Sequence, residues 1–449
     1  MPRKDLVIVV PGIMGTVLKH GDIPVWDTSA ATLVRDLRRF ADFTERLRLP
    51  PGLGDHAPDP PSVLATGGLI GGWHLWPGMW IGGGYHTFVQ WLHDRFRPHG
   101  RVVEFGYDWR LSNRLTAGRL KEFVRTSLDA WRHDSGQPDA KAVLVCHSMG
   151  GLIARHYVNA LGDEQTTACI ITLGTPFSGS VNAVRSLSGS VRLMPERLVE
   201  TMLTFPSLRQ LLPTFRCVRK PSGMEAIGAA GLPGICSDMI ADAVKLRAEG
   251  APRDDGPPLY VFGGKRHSTL AGVESTPAGL EFHHTWLNSR DGRLIDEEPG
   301  GDGTVPRFAA IPPEWSGDAG SHFRATRHSR LVNDKELRDR IADIIEPVDP
   351  REYLDAEAEF GLDLPDLVRS GRRFPVRALA DRSDLRLTIQ VADLRGAPVD
   401  ELSGVPLNPD GEGSYHADLV LPTGVWQIEA VLAGTAATSS GDLVVATDL

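Results

Sequence analysis

The chain has 449 residues, of which 41% are hydrophobic and 23% charged, and a formal net charge of -9. This is the balance of an ordinary globular protein, long enough for one large α/β domain plus something smaller. No concentrated basic stretch points to nucleic acid as the main partner, and no run approaches the roughly 20 apolar residues that a membrane-spanning helix needs.

The opening MPRKDLVIVVPGIMG contains a short continuous apolar run, Leu6–Val10. It suits a strand buried on both faces and is too short for the core of a signal peptide, so a cytoplasmic location is expected. Residues 16–84 follow as an insertion rich in Gly, Pro and Trp, including GGWHLWPGMWIGGG. Tyr85, Phe88, Val89, Leu92 and Phe96 then recur at helical spacing, RVVEF reads as a second strand, and Leu120, Phe123, Val124, Leu128 and Trp131 mark another helix. AVLVC, ACIITL and PLYVFGG read as further strands. Strands separated by helices imply an α/β fold with a parallel, helix-covered sheet. A second insertion, about 180–256, is helical and rich in Leu and Met. Both insertions follow strands on the same side of the expected sheet, which predicts lids or substrate walls; a packed helical subdomain is the alternative.

The pattern changes near residue 349. Residues 349–372 are charged and proline-punctuated, as in a linker with one short helix. Beyond them the period becomes 2: Leu385, Leu387, Ile389 and Val391 alternate with Arg386, Thr388 and Gln390, and Trp426, Ile428, Ala430 and Leu432 repeat the pattern. The expected organisation is an α/β body over 1–348 and a small all-β, sandwich-like domain over 373–449. That domain shows no catalytic cluster and is expected to pack or to dock a protein partner.

The chemistry gathers where the third strand ends. Cys146-His147-Ser148-Met149-Gly150 follows an apolar run and precedes a helical pattern. A serine hydroxyl is a poor nucleophile until it is exposed, held and relieved of its proton. A tight strand-to-helix turn does the holding, and its crowding calls for small residues two before and two after the serine. Cys146 stands where glycine is usual. An oxyanion then needs two N–H donors. Met149, after the serine, supplies one; Ile13, in the VVPGIMGT turn, is placed to supply the other. A base and an orienting acid must come later. Asp302 in GGDGTVP and His328 in TRHSRLVND complete the chain order of an α/β-hydrolase triad. His322, His283 and His284 compete with His328, and Asp302 has a plain turn role as its alternative. His267, His283 and His284 lack zinc-ligand spacing, and the four cysteines form neither a metal motif nor a dense disulfide framework, although Cys217 and Cys236 are a conceivable pair. No metal and no cofactor is expected.

VVPGIMGT, GYDWRLS, CHSMGGLIAR, TLGTPFSGS, GDGTVP and RHSRLVND occur in this order between residues of about 5 and 345. Together they resemble the lecithin:cholesterol acyltransferase-like family of α/β-hydrolases. The resemblance implies Ser148 as nucleophile, Asp302 as acid, His328 as base, and Ile13 and Met149 as oxyanion donors. It also implies that Asp108 and Arg110 form a structural ion pair near the site. The β-rich C-terminus lies outside the family's usual region. The expected activity is that of a serine esterase, lipase, phospholipase or acyltransferase on lipid-like esters, with transient contact with a membrane surface. Alternatives are a hydrolase of small soluble esters and a silent binding protein on the same fold. The WHLWPGMW stretch is expected either to line an acyl groove or to pack as an aromatic cluster.

Overall fold

The computed structural model describes residues 5–447 except 22, 28–39, 58–63, 71–73, 77–78, 82–83, 97–99, 163, 192–194, 254–255, 291–292, 316–320, 346–359, 381–384, 394–396, 412 and 433–438. Continuous apolar runs become strands covered on both faces. Six of them, β1 (Leu6–Val10), β2 (Arg101–Glu104), β3 (Ala142–His147), β4 (Thr167–Leu173), β5 (Leu259–Gly264) and β6 (Ser321–Arg324), form one sheet in the order β6-β5-β4-β3-β1-β2. Every pairing in it is parallel. Five of the six are the strands expected from the sequence. The sixth, SHFR, has no apolar run to announce it.

The helices include α1 (Phe40–Leu47), α2 (His86–Phe96), α3 (Asn113–Ser135), α4 (Met149–Arg155), α5 (Val181–Leu187), α6 (Ser237–Glu249) and α7 (Lys335–Ile345); Glu196–Met202, Pro206–Arg209 and Ile227–Ala230 are helical as well. Strand side chains alternate between two layers. Val7, Val9, Val143 and Val145 pack with Phe88 and Leu92 of α2 and Leu337 and Ile341 of α7. Leu6, Ile8, Val10 and Leu144 pack with Leu120 and Val124 of α3 and Ile153 of α4. Burying each such side chain contributes roughly 2 kcal/mol. Ser112 starts α3 by accepting the N–H of Arg114 at 3.2 Å, and Gly136 ends it in the left-handed conformation at φ 67°.

The first insertion holds a three-stranded antiparallel sheet (Thr16–His20, Ile23–Trp26, Leu64–Leu69), α1, and a hairpin of His74–Trp76 with Met79–Ile81. The side chains of WHLWPGMW lie outside the described residues. The second insertion is largely helical but also holds an antiparallel strand pair, Val218–Lys220 with Gly223–Glu225, and its Leu208 and Leu211 reach the pocket over Ser148.

The C-terminal part is a curled sheet of eight strands: β7 (Phe360–Asp363), β8 (Leu367–Arg369), β9 (Arg373–Ala380), β10 (Leu387–Ala392), β11 (Val405–Gly411), β12 (Ser414–Val420), β13 (Gly424–Leu432) and β14 (Ser439–Thr447). Their order is β7-β9-β12-β11-β10-β13-β14-β8, with β8 parallel to β14 and the other pairs antiparallel. Period-2 burial in β9 and β12 turns Phe374, Val376, Tyr415 and Ala417 into one separate core. β7 and β8 lie within the stretch read as a linker. They bring this sheet against the α/β body: His267 Nδ1 meets the Leu362 carbonyl at 2.6 Å, and Arg327 Nε donates to the same carbonyl at 2.9 Å. All four cysteines are free thiols, with Cys217 buried and Cys236 exposed. Among the described residues no helix is long and apolar enough to cross a membrane.

Candidate active site

Loops at the C-terminal ends of β1, β3, β4 and β5 converge on Ser148, where an open parallel sheet places its ligands. Ser148 holds φ 52° and ψ -125°, a conformation that disfavours a residue with a Cβ. The surroundings enforce it. Its N–H donates to the Leu173 carbonyl at 2.8 Å, and Thr175 Oγ1 donates to its carbonyl at 2.9 Å. Gly150 passes so close to β1 that a Cβ there would lie 2.5 Å from the Val10 carbonyl oxygen. That is the crowding that the small residues of the motif answer. Cys146 satisfies it at the other position and is fully buried.

The serine hydroxyl donates to His328 Nε2 at 2.8 Å, and His328 Nδ1 donates to Asp302 Oδ2 at 2.7 Å. The carboxylate accepts only, so the Nδ1–H tautomer is set and Nε2 faces the serine as an acceptor. Asp302 also serves the turn role weighed as its alternative. Its Oδ1 accepts the N–H groups of Thr304 and Val305 at 2.9 and 2.7 Å. Backbone closes the unit: the His328 N–H donates to the Asp302 carbonyl at 2.8 Å. Ser148, Asp302 and His328 are 7%, 1% and 8% exposed, so the network works largely out of water.

The turn after β1 is the second half of the site. The Gly12 N–H is taken by Tyr85 Oη at 2.9 Å. The N–H groups of Ile13 and Met149 donate to no group among the described residues, and Ile13 lines the pocket with Ser148. Met14 sits at φ 65° and is held by a bond from Trp26 Nε1 to its carbonyl at 2.9 Å. Here the YDWR string finds its purpose. Tyr107 donates to the Pro11 carbonyl at 2.7 Å, and Trp109 packs edge-on against Trp26 with centroids 5.1 Å apart. Asp108 and Arg110 form the expected buried ion pair at 2.6 Å, and Arg110 Nη1 donates to the Leu47 carbonyl at the end of α1. The motif therefore clamps the turn that carries Ile13.

His147, beside the nucleophile, joins the two halves of the site. Tyr85 Oη meets its Nδ1 at 2.7 Å, and its Nε2 meets the His328 carbonyl at 3.0 Å. A tyrosine that accepts from Gly12 and donates to Nδ1 leaves Nε2–H to donate onward. Gly12, Tyr85, His147 and His328 thus form one chain of hydrogen bonds joining the two halves of the site. Burial, reinforced by His328, pushes the His147 pKa down from 6.5 to about 3. Burial and the Arg327 charge do the same to His267, which braces the Asp302 loop. Both are neutral in the folded chain but protonate readily once it unfolds. The unfolded state therefore binds more protons as pH falls below 6.5. Stability is expected to be fully present above that value and to be lost towards pH 3, by about 2 kcal/mol per histidine at pH 5. Thermal melts of wild type and His147→Gln at pH 7 and pH 5 check this: the variant should lose about half of the pH dependence these two histidines produce. Identical slopes would refute the assignment.

The competing histidines lie elsewhere. His322 is on β6 and stacks on Phe262 at 5.5 Å. His283 ends a hairpin strand and faces Glu274 at 3.4 Å. The residues given no role in this site by the sequence are Tyr85, Tyr107, His267 and Gly174. Tyr107 and Gly174 left a signal, inside GYDWRLS and TLGTPFSGS.

Residues 79–224 match the family model described as lecithin:cholesterol acyltransferase. The matched stretch includes YDWR, the Ser148 turn and TLGTPFSGS, whereas Asp302 and His328 lie beyond it. No curated protein matches the chain. Among solved structures, the crystal structure of the Tle4-Tli4 complex aligns with a TM-score of 0.51 at 16% identity, covering 77% of this chain and 99% of that one. The mature form of Bacillus licheniformis lipase BlEst2 aligns at 0.40 and 9% identity, covering 77% and 93%. Phospholipase PlaB from Legionella pneumophila aligns at 0.31 and 13% identity, covering 83% and 89%. The first alignment shows a common fold. The resemblance read from the sequence is thereby met: this chain carries a lecithin:cholesterol acyltransferase-like segment on an α/β-hydrolase fold.

Proposed function

We propose that the chain is a serine hydrolase that cleaves lipid-like carboxylic esters, or transfers their acyl group, through an acyl-serine. The observation that carries this reading is the unbroken line from Ser148 Oγ through His328 to Asp302, at 2.8 and 2.7 Å. Ser148 attacks the ester carbonyl while His328 Nε2 takes its proton. The N–H groups of Ile13 and Met149 hold the oxyanion; losing one such donor typically costs roughly 10²–10³ in rate. His328 then protonates the departing alcohol, and water or a second alcohol releases the acyl group. The pocket over Ser148 is narrow, about 60 Å³, and its walls include Ile13, Met14, Leu208, Leu211 and Val305. An apolar wall beside the nucleophile supports an acyl chain as the group held there.

A fluorophosphonate should label the wild-type protein on Ser148, and turnover of p-nitrophenyl esters should rise with acyl length from acetyl. Absence of labelling, with and without mild detergent, would refute the enzyme reading. A rate falling steeply with acyl length would favour small soluble esters instead.

Gly174 offers a test independent of the three reacting residues. It sits at φ 63°, and a Cβ there would lie 2.9 Å from His328 Nδ1 and 3.0 Å from Asp302 Oδ2. Gly174→Ala is expected to cost about 1–2 kcal/mol in backbone strain and to displace the histidine. Turnover should fall on the order of 10²-fold with the fold retained, because sub-ångström alignment governs the proton transfer. Wild-type turnover in a folded variant would count against the assigned geometry.

A further inference from the structure

We propose that the C-terminal sheet is a working part of the active site: it holds the loops that carry Asp302 and His328, and His267, Arg327 and Arg330 are the positioning residues that transmit this hold. This rests on the function proposed above. His328 opens a short 3-10 turn, His328–Asn333. Such turns are poorly hydrogen-bonded and hold a side chain weakly by themselves. The His328 N–H is tied to the Asp302 carbonyl at 2.8 Å, so base and acid share one support and can shift together relative to Ser148. What fixes that support lies outside both loops, in the sheet.

β7 is an edge strand, and its outward carbonyls have no neighbouring strand to pair with. The Leu362 carbonyl accepts from His267 Nδ1 at 2.6 Å and from Arg327 Nε at 2.9 Å. His267 is bridged through its backbone to Gly301 and Asp302, and Arg327 immediately precedes His328. One carbonyl therefore joins the acid loop to the base loop. Arg327 Nη2 also donates to the Leu364 carbonyl at 3.3 Å. Both leucines are anchored in the separate core of the sheet, so their carbonyls do not follow the loops. His267 and Arg327 are buried, and losing these acceptors would leave their donors unpaired away from water. Two residues past His328, Arg330 Nη1 meets Glu429 Oε1 on β13 at 3.0 Å, and Gln427 Nε2 donates to that same oxygen at 2.6 Å. The sheet thus grips the chain on both sides of His328. The fit is close: a Cβ on Gly361 of β7 would lie 2.8 Å from the Arg266 carbonyl oxygen and 3.0 Å from His267 Cε1. A module that served only to dock a partner would need no such backbone fit beside the acid and the base.

The test uses the full chain and p-nitrophenyl butyrate. Gly361→Ala drives a methyl group between β7 and the Arg266–His267 backbone. It should lower kcat about 10²-fold, the effect of a misplacement of about 1 Å, with KM within about twofold of wild type and fluorophosphonate labelling slowed in step. Arg330→Gln should lower kcat about fivefold, and Arg330→Lys, which keeps a charge opposite Glu429, should recover most of it. Ile389→Val, in the core of the sheet on β10, should lower the thermal midpoint by a few degrees and leave kcat unchanged at room temperature. A folded Gly361→Ala protein with wild-type kcat overturns the proposal. So does a wild-type kcat in Arg330→Gln, and the two Arg330 variants decide the matter if Gly361→Ala does not fold. A loss of kcat that tracks the thermal midpoint across all variants, Ile389→Val included, also overturns it, because the sheet would then be a stabiliser only. Failure of the underlying reading looks different: wild type is neither labelled nor active on the ester.

Discussion

Ser148→Ala is expected to abolish fluorophosphonate labelling and to lower ester turnover on the order of 10⁴- to 10⁶-fold. The substitution removes one oxygen from a residue that is 7% exposed. It leaves intact the backbone bonds from Ser148 N–H to Leu173 and from Thr175 to the Ser148 carbonyl. The strained φ of 52° persists, because glycines and strand ends impose it rather than the hydroxyl. The thermal midpoint should therefore stay within a few degrees of wild type while the activity disappears. Residual turnover above a tenth of wild type, in protein with an unchanged melt, would remove Ser148 from the mechanism.

Asp302→Asn should lower turnover by about 10⁴-fold, nearly as much, with almost no change in shape. The reason is the tautomer. In wild type Oδ1 accepts two N–H groups from Thr304 and Val305, and Oδ2 accepts from His328 Nδ1. An asparagine keeps its carbonyl oxygen towards the two N–H donors and turns its amide N–H₂ towards the histidine. Nδ1 must then accept, the proton moves to Nε2, and no lone pair remains there to take the serine proton. The rate should recover partly at high pH, where hydroxide can replace the base. Turnover within tenfold of wild type at pH 7 would mean that Asp302 only shapes its turn.

Much of the site was legible in the chain because its requirements are local. A serine on a strand-to-helix corner needs small neighbours within two residues, and CHSMG states that in five letters. GDGTVP likewise keeps an aspartate in a glycine-held loop, where its own backbone supplies two donors. The residues that went unread act across long separations. Tyr85 reaches Gly12 and His147 from 73 and 62 residues away. In the sequence it is one more apolar member of a helical stripe, and nothing nearby hints that its hydroxyl is shared by both halves of the site. His267 looked like a spare histidine because its partner, the Leu362 carbonyl, is 95 residues away. The strand SHFR escaped notice for a related reason: its half-buried edge position demands little apolar character.

The β-rich end shows the same division. Alternation in LTIQVA and in the stretch from Gly424 to Leu432 declared strands, since each side chain's environment there depends on its own parity. The joining of that sheet to the α/β body depends on Arg266, His267 and Arg327 finding the carbonyls of Ala380, Leu362 and Leu364. Backbone carbonyls are the same in every residue and leave no trace in composition. The sequence by itself determined the α/β scaffold, the order Ser148, Asp302, His328 and the all-β tail, because periodicity, turn chemistry and motif spacing are written within short windows. Only the tertiary structure decided which hydrogen bonds lock the histidine, what YDWR clamps, and that one carbonyl of the C-terminal sheet meets both His267 and Arg327. Those depend on distances between residues that the chain brings together only when it folds.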